Sequence, residues 1–99
     1  MLTRIVKMEF QPEKTSTFLQ NFDRVKHKIR NFEGCKHLDL LQDANNPAIF
    51  FTYSKWENLQ ALENYRNSEL FKSVWITTKK LFRCKAQAWS VTKIDSIEN

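Results

Sequence analysis

The fold is decided by residues 48–82, AIFFTYSKWENLQALENYRNSELFKSVWITTKKLF, where a strand pattern passes directly into a helical one. Successive side chains of residues 48–53 point to opposite faces of the strand, and both faces carry large apolar side chains. Both faces of this strand are therefore expected to be buried. Tyr65 and Trp75 lie ten residues apart, so in a continuous helix they fall close to one face, about three turns apart. They either pack in a core or line a pocket. The helical segment presents a core-facing apolar stripe, made of Leu59, Leu62, Leu70, Phe71, Val74, Trp75 and Leu81.

The boundaries of this helical segment have two readings. Ser54 with Glu57 three residues on has the form of a capping box, and Asn58 is a competing cap one turn later. The helix therefore begins between them. Asn67 and Ser68 are candidates to interrupt it, with Ser68 capping a second piece.

The N-terminal part predicts a strand followed by a helix. Residues 1–10 alternate and one face is clearly apolar. Pro12 suits the first turn of a helix, because its missing N–H is not needed there. Gly34 follows as the expected left-handed stop. The helix carries an apolar stripe of Phe18, Leu19, Phe22, Val25, Ile29 and Phe32.

The remaining segments complete an α+β pattern. Residues 35–42 predict a second strand, and the turn residues 43–47 join it to the third as a hairpin. Residues 84–94 predict the last strand. The order βαββαβ is that of the ferredoxin-like fold, a four-stranded antiparallel sheet with two helices on one face. We predict a single domain over residues 1–95 and a C-terminal tail at 96–99.

This arrangement leaves one sheet face bare. The third strand is apolar on both sides, and the last strand alternates small and large residues on its two faces. An exposed apolar face of this size favours burial by a second copy. The sequence therefore predicts a homodimer.

Composition narrows the protein class. Ninety-nine residues with 41% hydrophobic content make one domain. No apolar run approaches the roughly 20 residues of a membrane span, and no leader pattern opens the chain, so we expect a cytoplasmic protein. Cys35 and Cys84 are too few for a disulfide framework and are expected to be free thiols. The net charge of +5 suggests the hypothesis of nucleic-acid binding. Acidic residues interrupt the basic clusters, however, and no stacking platform of aromatic residues accompanies them.

Two passages carry a family resemblance. Residues 50–57, FFTYSKWE, and 62–71, LENYRNSELF, resemble the antibiotic biosynthesis monooxygenase family, as does the order of elements. The resemblance implies a dimeric α+β barrel with a pocket between sheet and helices. There, members oxidise aromatic polyketides with molecular oxygen and without flavin or metal. Because the sequence has neither a phosphate-binding loop nor the iron ligand of the haem-degrading relatives, we also expect a colourless protein that holds no cofactor.

The sequence departs from the family at informative positions. Members often carry a His early in the second helix, where Tyr65 stands here. Haem-degrading relatives use an Asn, a Trp and an iron-ligating His at the positions that correspond to Val6, Tyr65 and Trp75. Because Trp cannot ligate iron, haem degradation is not expected.

Candidate site residues follow from side-chain chemistry. Tyr65 and His37 are the catalytic candidates, since His titrates near neutral pH and Asp39 lies on the same strand face as His37. Each has a structural alternative, a buried Tyr with a hydrogen-bond partner or a His exposed on an edge strand. No metal-ligand spacing and no glycine-rich phosphate loop is present. The predicted substrate-binding residues are Tyr53, Tyr65, Phe71, Trp75 and Trp89.

Three function classes remain open. The first is a cofactor-independent monooxygenase that acts on a small aromatic or quinone-like molecule. The second is a binding or sensing barrel that has lost the chemistry, as the missing His would permit. The third is a basic nucleic-acid partner, whose binding should depend on salt.

Overall fold

The computed structural model of the protein describes residues 1–98 and has the predicted order of strands and helices. The βαββαβ, ferredoxin-like prediction is confirmed, and the second helix is divided into two pieces. The elements are β1 (Leu2–Glu9), one turn of 3-10 helix (Pro12–Lys14), α1 (Thr15–Arg30), β2 (Cys35–Gln42), β3 (Ile49–Trp56), α2 (Leu59–Arg66), α3 (Glu69–Lys79) and β4 (Gln87–Val91).

The four strands form one antiparallel sheet in the order β2-β3-β1-β4. The first and third strands are therefore central, as expected for strands with large apolar side chains. The helices cover one face, which we call the inner face; there Met8, Phe50 and Trp56 are buried. Because successive side chains alternate, Ile5, Tyr53 and Trp89 share a row on the opposite, open face.

Two apolar clusters fill the space between helices and inner face. One lies at the end of the sheet where Trp56 meets α2, and it includes Ile29, Cys35 and Leu62. The other lies at the opposite end, where Phe10 packs between β1, α1 and the segment after α3. An inner face packed at both ends but not in the middle leaves room for a pocket.

Asn58 and Ser68 begin the two C-terminal helices. The Asn58 side chain accepts a hydrogen bond from the backbone N–H of Ala61 at 2.9 Å, and Ser68 Oγ accepts one from that of Phe71 at 3.1 Å. The break at Ser68 is as predicted, but the capping box starting at Ser54 is wrong. The third strand extends through Trp56, because it stays paired with β1 as far as Leu2.

Gly34 has the predicted left-handed backbone but not the predicted place. Its φ is +88°, whereas α1 already ends at Arg30 with Asn31 as its C-cap. A Cβ at this position would also collide with the Cβ of Ala61. Glycine is thus required both for the turn into β2 and for the close approach of α2.

Two residues assigned to apolar stripes, Leu19 and Leu59, are exposed, because each lies beside the stripe near the start of its helix.

The C-terminal boundaries also differ from expectation. The last strand is limited to Gln87–Val91, where β1 supplies its pairing partners. Residues 92–98 form no helix or strand, and Asn99, in the predicted tail, lies outside the described residues. Within residues 1–98, no helix is long and apolar enough to cross a membrane.

Candidate functional site

A pocket of about 420 Å³ lies between the inner face of the sheet and the helices. Its floor is formed by alternate residues of all four strands, including Val6, Thr52 and Ala88. Its walls come from α1, α2 and α3. The sequence left open whether Tyr65 and Trp75 fill a core or line a cavity; both line this pocket.

A run of aromatic contacts forms one wall. The Tyr65 ring stacks on Trp56, with centroids 5.0 Å apart, and meets Phe71 edge to face at 5.2 Å. Phe71 stacks on Trp75 at 5.7 Å with planes 13° apart, and Trp75 meets Phe82 at 5.5 Å. Each ring contacts the next, from Trp56 at the end of β3 to Phe82 after α3. The wall can therefore present flat apolar surface to a planar ligand.

Tyr65 is buried, yet its hydroxyl is available to a ligand. Among residues 1–98 the Tyr65 hydroxyl has no hydrogen-bond partner. Every fully buried side-chain nitrogen or oxygen atom of these residues does have a partner, so this hydroxyl is not fully buried. The hydroxyl therefore reaches accessible space, and Tyr65 lines the pocket. Burial, helped by the nearby Cys35 thiol, raises the pKa of Tyr65 well above its usual value. At neutral pH Tyr65 is thus a hydrogen-bond donor and not a base.

Arginine supplies the charge in the pocket lining. Arg4, Arg24 and Arg66 all contribute to it, and none of its described lining residues is an Asp, Glu or His. Arg4 Nη1 donates a hydrogen bond to Ser90 Oγ at 3.0 Å across the β1–β4 pair. The pocket thus combines aromatic walls with a positively charged end.

The predicted site residues divide between the two faces of the sheet. Tyr65, Phe71 and Trp75 are brought together in the pocket. Tyr53 and Trp89 lie on the open face, so the expectation that they share a pocket with Tyr65 is corrected. The cause is the alternation of β3 and β4, which turns these side chains away from the helices.

His37 also lies on the open face. Its Nε2 is 2.8 Å from Asp39 Oδ2, and its ring centroid is 6.3 Å from that of Tyr53. An irregularity between Cys35 and His37 in the pairing of β2 with β3 sends these two side chains to opposite faces. His37 therefore cannot reach a ligand in the pocket of the same subunit.

Sequence reasoning missed Arg4 and Arg66. The available signal was Arg4 itself, a charged residue at the same alternation as Leu2, Val6 and Met8 in β1. A charge on the covered face of a central strand marks a place where water or a ligand reaches the interior.

Cysteine and metal chemistry are separate from this pocket. Cys35 is a buried free thiol whose pKa is raised by burial, and Cys84 is an exposed one. Within residues 1–98, no group of three or more His, Cys, Asp or Glu side chains is placed to hold a metal ion.

The sequence of residues 1–74 matches the family model described as antibiotic biosynthesis monooxygenase. The chain belongs to that family. The family match extends from β1 into α3. It therefore includes every aromatic residue of the wall except Trp75 and Phe82.

Solved structures share the fold of this family member at low sequence identity. The crystal structure of an antibiotic biosynthesis monooxygenase superposes with a TM-score of 0.89 at 21% identity, covering 96% of this chain and 100% of the other. A conserved protein from Methanosarcina mazei Go1 gives 0.87 at 21% identity, covering 94% and 93%. PA3566 from Pseudomonas aeruginosa gives 0.83 at 21% identity, covering 95% and 94%. These likenesses establish the fold alone, and no curated protein matches the sequence.

The positions that distinguish haem-degrading relatives meet in the same pocket. Val6 on the sheet floor and Tyr65 and Trp75 on the helical wall all line it. These are the three positions at which the sequence departs from the residues expected of a haem-degrading relative.

Proposed function

We propose that this protein is a cofactor-independent monooxygenase that oxidises a small aromatic or quinone-like molecule in the pocket between sheet and helices. The observation that carries the proposal is a pocket of about 420 Å³ with an aromatic wall, in a chain of this family. That volume suits a ligand of a few fused rings.

In such a reaction the substrate supplies all the electrons. A ring CH₂ group, as in an anthrone, becomes C=O, and O₂ is reduced by four electrons to the new carbonyl oxygen and one water. The first step is loss of a proton from the substrate, which produces an electron-rich anion able to reduce O₂. The protein's part is to bind the ring, favour this anion and exclude bulk water.

The residues have distinct roles in this proposal. Phe71 and Trp75 stack against the substrate ring. Tyr65 donates a hydrogen bond to a substrate oxygen, since its raised pKa keeps it protonated. Because none of the described lining residues is a His or a carboxylate, the substrate loses its proton to water before it enters the pocket, and it must be acidic enough to ionise by itself.

The same absence of a base supports a second candidate, a barrel that binds or senses an aromatic molecule without oxidising it. Ligand binding would then occur without turnover. The two candidates differ in chemistry and not in the pocket.

Oxygen uptake separates them. Purified protein is mixed with anthrone-type and hydroquinone-type substrates, and oxygen consumption is followed with an electrode against a protein-free control. Incorporation of one ¹⁸O atom from ¹⁸O₂ into the product, detected by mass spectrometry, supports the monooxygenase. Saturable binding with oxygen uptake no faster than the control supports the binding protein.

We also propose that the open sheet face pairs with a second copy of the chain, as in dimeric α+β barrels. Its support is a row of apolar side chains across three strands, Tyr53, Ile5 and Trp89, flanked by exposed Leu41 and Val91. Each square ångström of apolar surface buried there contributes roughly 25 cal/mol.

A further inference from the structure

The charged end of the pocket is built around Arg4, on the inner face of a central strand. Its register partners are Ser54 on β3 and Ser90 on β4, both small, so the long side chain has room to lie across the sheet. The hydrogen bond from Nη1 to Ser90 Oγ at 3.0 Å uses only one of its five N–H donors. Arg4 is half-buried, and its remaining donors are available to a ligand.

A second guanidinium lines the same pocket. Arg66 is the last residue of α2, and its Nη1 lies 3.3 Å from Glu63 Oε1. Burial, and next the positive charge of Arg66, lower the pKa of Arg4, while Glu63 acts in the opposite direction. Both guanidiniums nevertheless remain charged at neutral pH, because arginine does not lose its proton in proteins. Two like charges are thus held near one another.

Nothing in the pocket lining balances this charge fully. Among the described lining residues there is no carboxylate, and Glu63, which is outside the lining, contacts Arg66 alone. A half-buried cation without a close counter-ion is destabilising unless an anion or water supplies one. Guanidinium groups match the planar oxygens of carboxylates and enolates, to which they donate strong, charge-assisted hydrogen bonds.

We propose that the pocket binds its aromatic ligand as an anion, with an ionised ring oxygen or ring carboxylate held by Arg4 and Arg66 and the ring lying along Phe71 and Trp75. This names the ligand class of the pocket and so rests on the proposed function for the identity of the site. Ser90 is the positioning residue, because its hydroxyl accepts from Arg4 and sets the direction of the guanidinium.

Calorimetry under nitrogen tests the proposal with two matched probe pairs. 2-Naphthoate is compared with neutral 2-naphthamide, and 2-hydroxy-1,4-naphthoquinone, an anion at neutral pH, with neutral 2-methoxy-1,4-naphthoquinone. We expect the anion of at least one pair to bind about tenfold or more tightly than its neutral partner, as one charge-assisted hydrogen bond supplies. The pair with the larger ratio identifies the ligand as a carboxylate or as an enolate.

Variants connect the preference to the named residues. Arg4→Gln and Arg66→Gln should each reduce anion affinity about tenfold and leave the neutral probes unchanged. Arg83→Gln removes an equal charge outside this pocket, next to Glu9, and should change neither. Arg4→Lys keeps the positive charge but loses the planar, paired N–H donors of the guanidinium, so it should retain part of the preference for anionic probes. Ser90→Ala should weaken anion binding less than Arg4→Gln does.

Equal affinity for anionic and neutral probes, or anion affinity that is indifferent to both arginine variants, would overturn the proposal. Thermal unfolding of each variant shows whether it is folded; if Arg4→Gln is not, Arg66→Gln and Arg4→Lys carry the test. The proposed oxidation fails separately. Tight anion binding without oxygen uptake would support the anion site and contradict the oxidation. Oxidation of a neutral substrate by both arginine variants would support the oxidation and contradict the anion site.

Discussion

The Tyr65 ring stacks on the indole of Trp56, with centroids 5.0 Å apart and planes inclined at 26°. Trp56 is 1% exposed, and its Nε1 donates a hydrogen bond to Ser54 Oγ at 3.0 Å. A rigid indole on the strand end therefore supports the ring of Tyr65, which lines the pocket.

Trp56 and Trp75 should differ in their contribution to stability. Trp56→Ala leaves a void in packed core and should cost about 3–5 kcal/mol. Trp75 is half-buried and borders a space that is already empty, so Trp75→Ala should cost less than about 2 kcal/mol. Denaturant unfolding at equal protein concentration measures both, since association adds to apparent stability. A loss above about 3 kcal/mol for Trp75→Ala would mean that it acts as core.

Tyr65→Phe should reduce the sensitivity of the protein to alkali. The folded-state pKa of Tyr65 is raised, so above about pH 10, the ordinary pKa of tyrosine, the unfolded chain releases this proton and the folded chain keeps it. Stability that is complete below that pH is then lost as pH rises. Phe cannot ionise, so its stability should fall less steeply.

The measurement for Tyr65→Phe is urea unfolding at neutral pH and above pH 10. At neutral pH we expect a change below about 1 kcal/mol, because the ring stacking is kept and the hydroxyl has no partner within the described chain. The raised pKa of Cys35 also lowers stability in alkali, but it is common to both proteins. Equal alkaline slopes would contradict the burial of the phenol.

Gly34→Ala should destabilise the protein by more than about 2 kcal/mol. The left-handed backbone costs an alanine about 1–2 kcal/mol, and collision with the Cβ of Ala61 adds to it. Ala61→Gly removes the collision but not the backbone strain. In that background the cost of Gly34→Ala should fall by about 1 kcal/mol or more, which a double-mutant cycle measures. Strictly additive effects would show that α2 shifts freely.

Replacing Trp89 should separate the proposed dimer. Trp89 is 45% exposed on the open face, and Trp89→Glu would place a charge in the proposed interface. Light scattering at micromolar concentration should give a dimer mass for the wild-type protein and a monomer mass for this variant. Ile76 is 55% exposed on α3 and is the matched control; Ile76→Glu should stay dimeric. A monomeric wild-type protein would contradict the prediction directly.

Much of the fold could be predicted from local pattern. Alternation identified the four strands, helical spacing identified the helices, and Ser68 marked the break between α2 and α3. Tyr65 and Trp75 were recognised as a pair although no continuous helix joins them. Their proximity comes instead from Phe71, which contacts both rings.

Other features were decided by tertiary structure, because they depend on partners distant in the chain. Ser54 lies in a strand and not at a helix cap, since pairing with β1 extends β3 to Trp56. Tyr53 and Trp89 turned out to face away from the pocket, because β3 is apolar on both sides and only packing determines which side the helices cover. The sequence alone therefore determined the elements, their order and three aromatic residues of the wall, Tyr65, Phe71 and Trp75. Tertiary packing decided that an arginine from the first strand and one from the second helix line the same pocket, because strand pairing and helix docking bring together positions 62 residues apart.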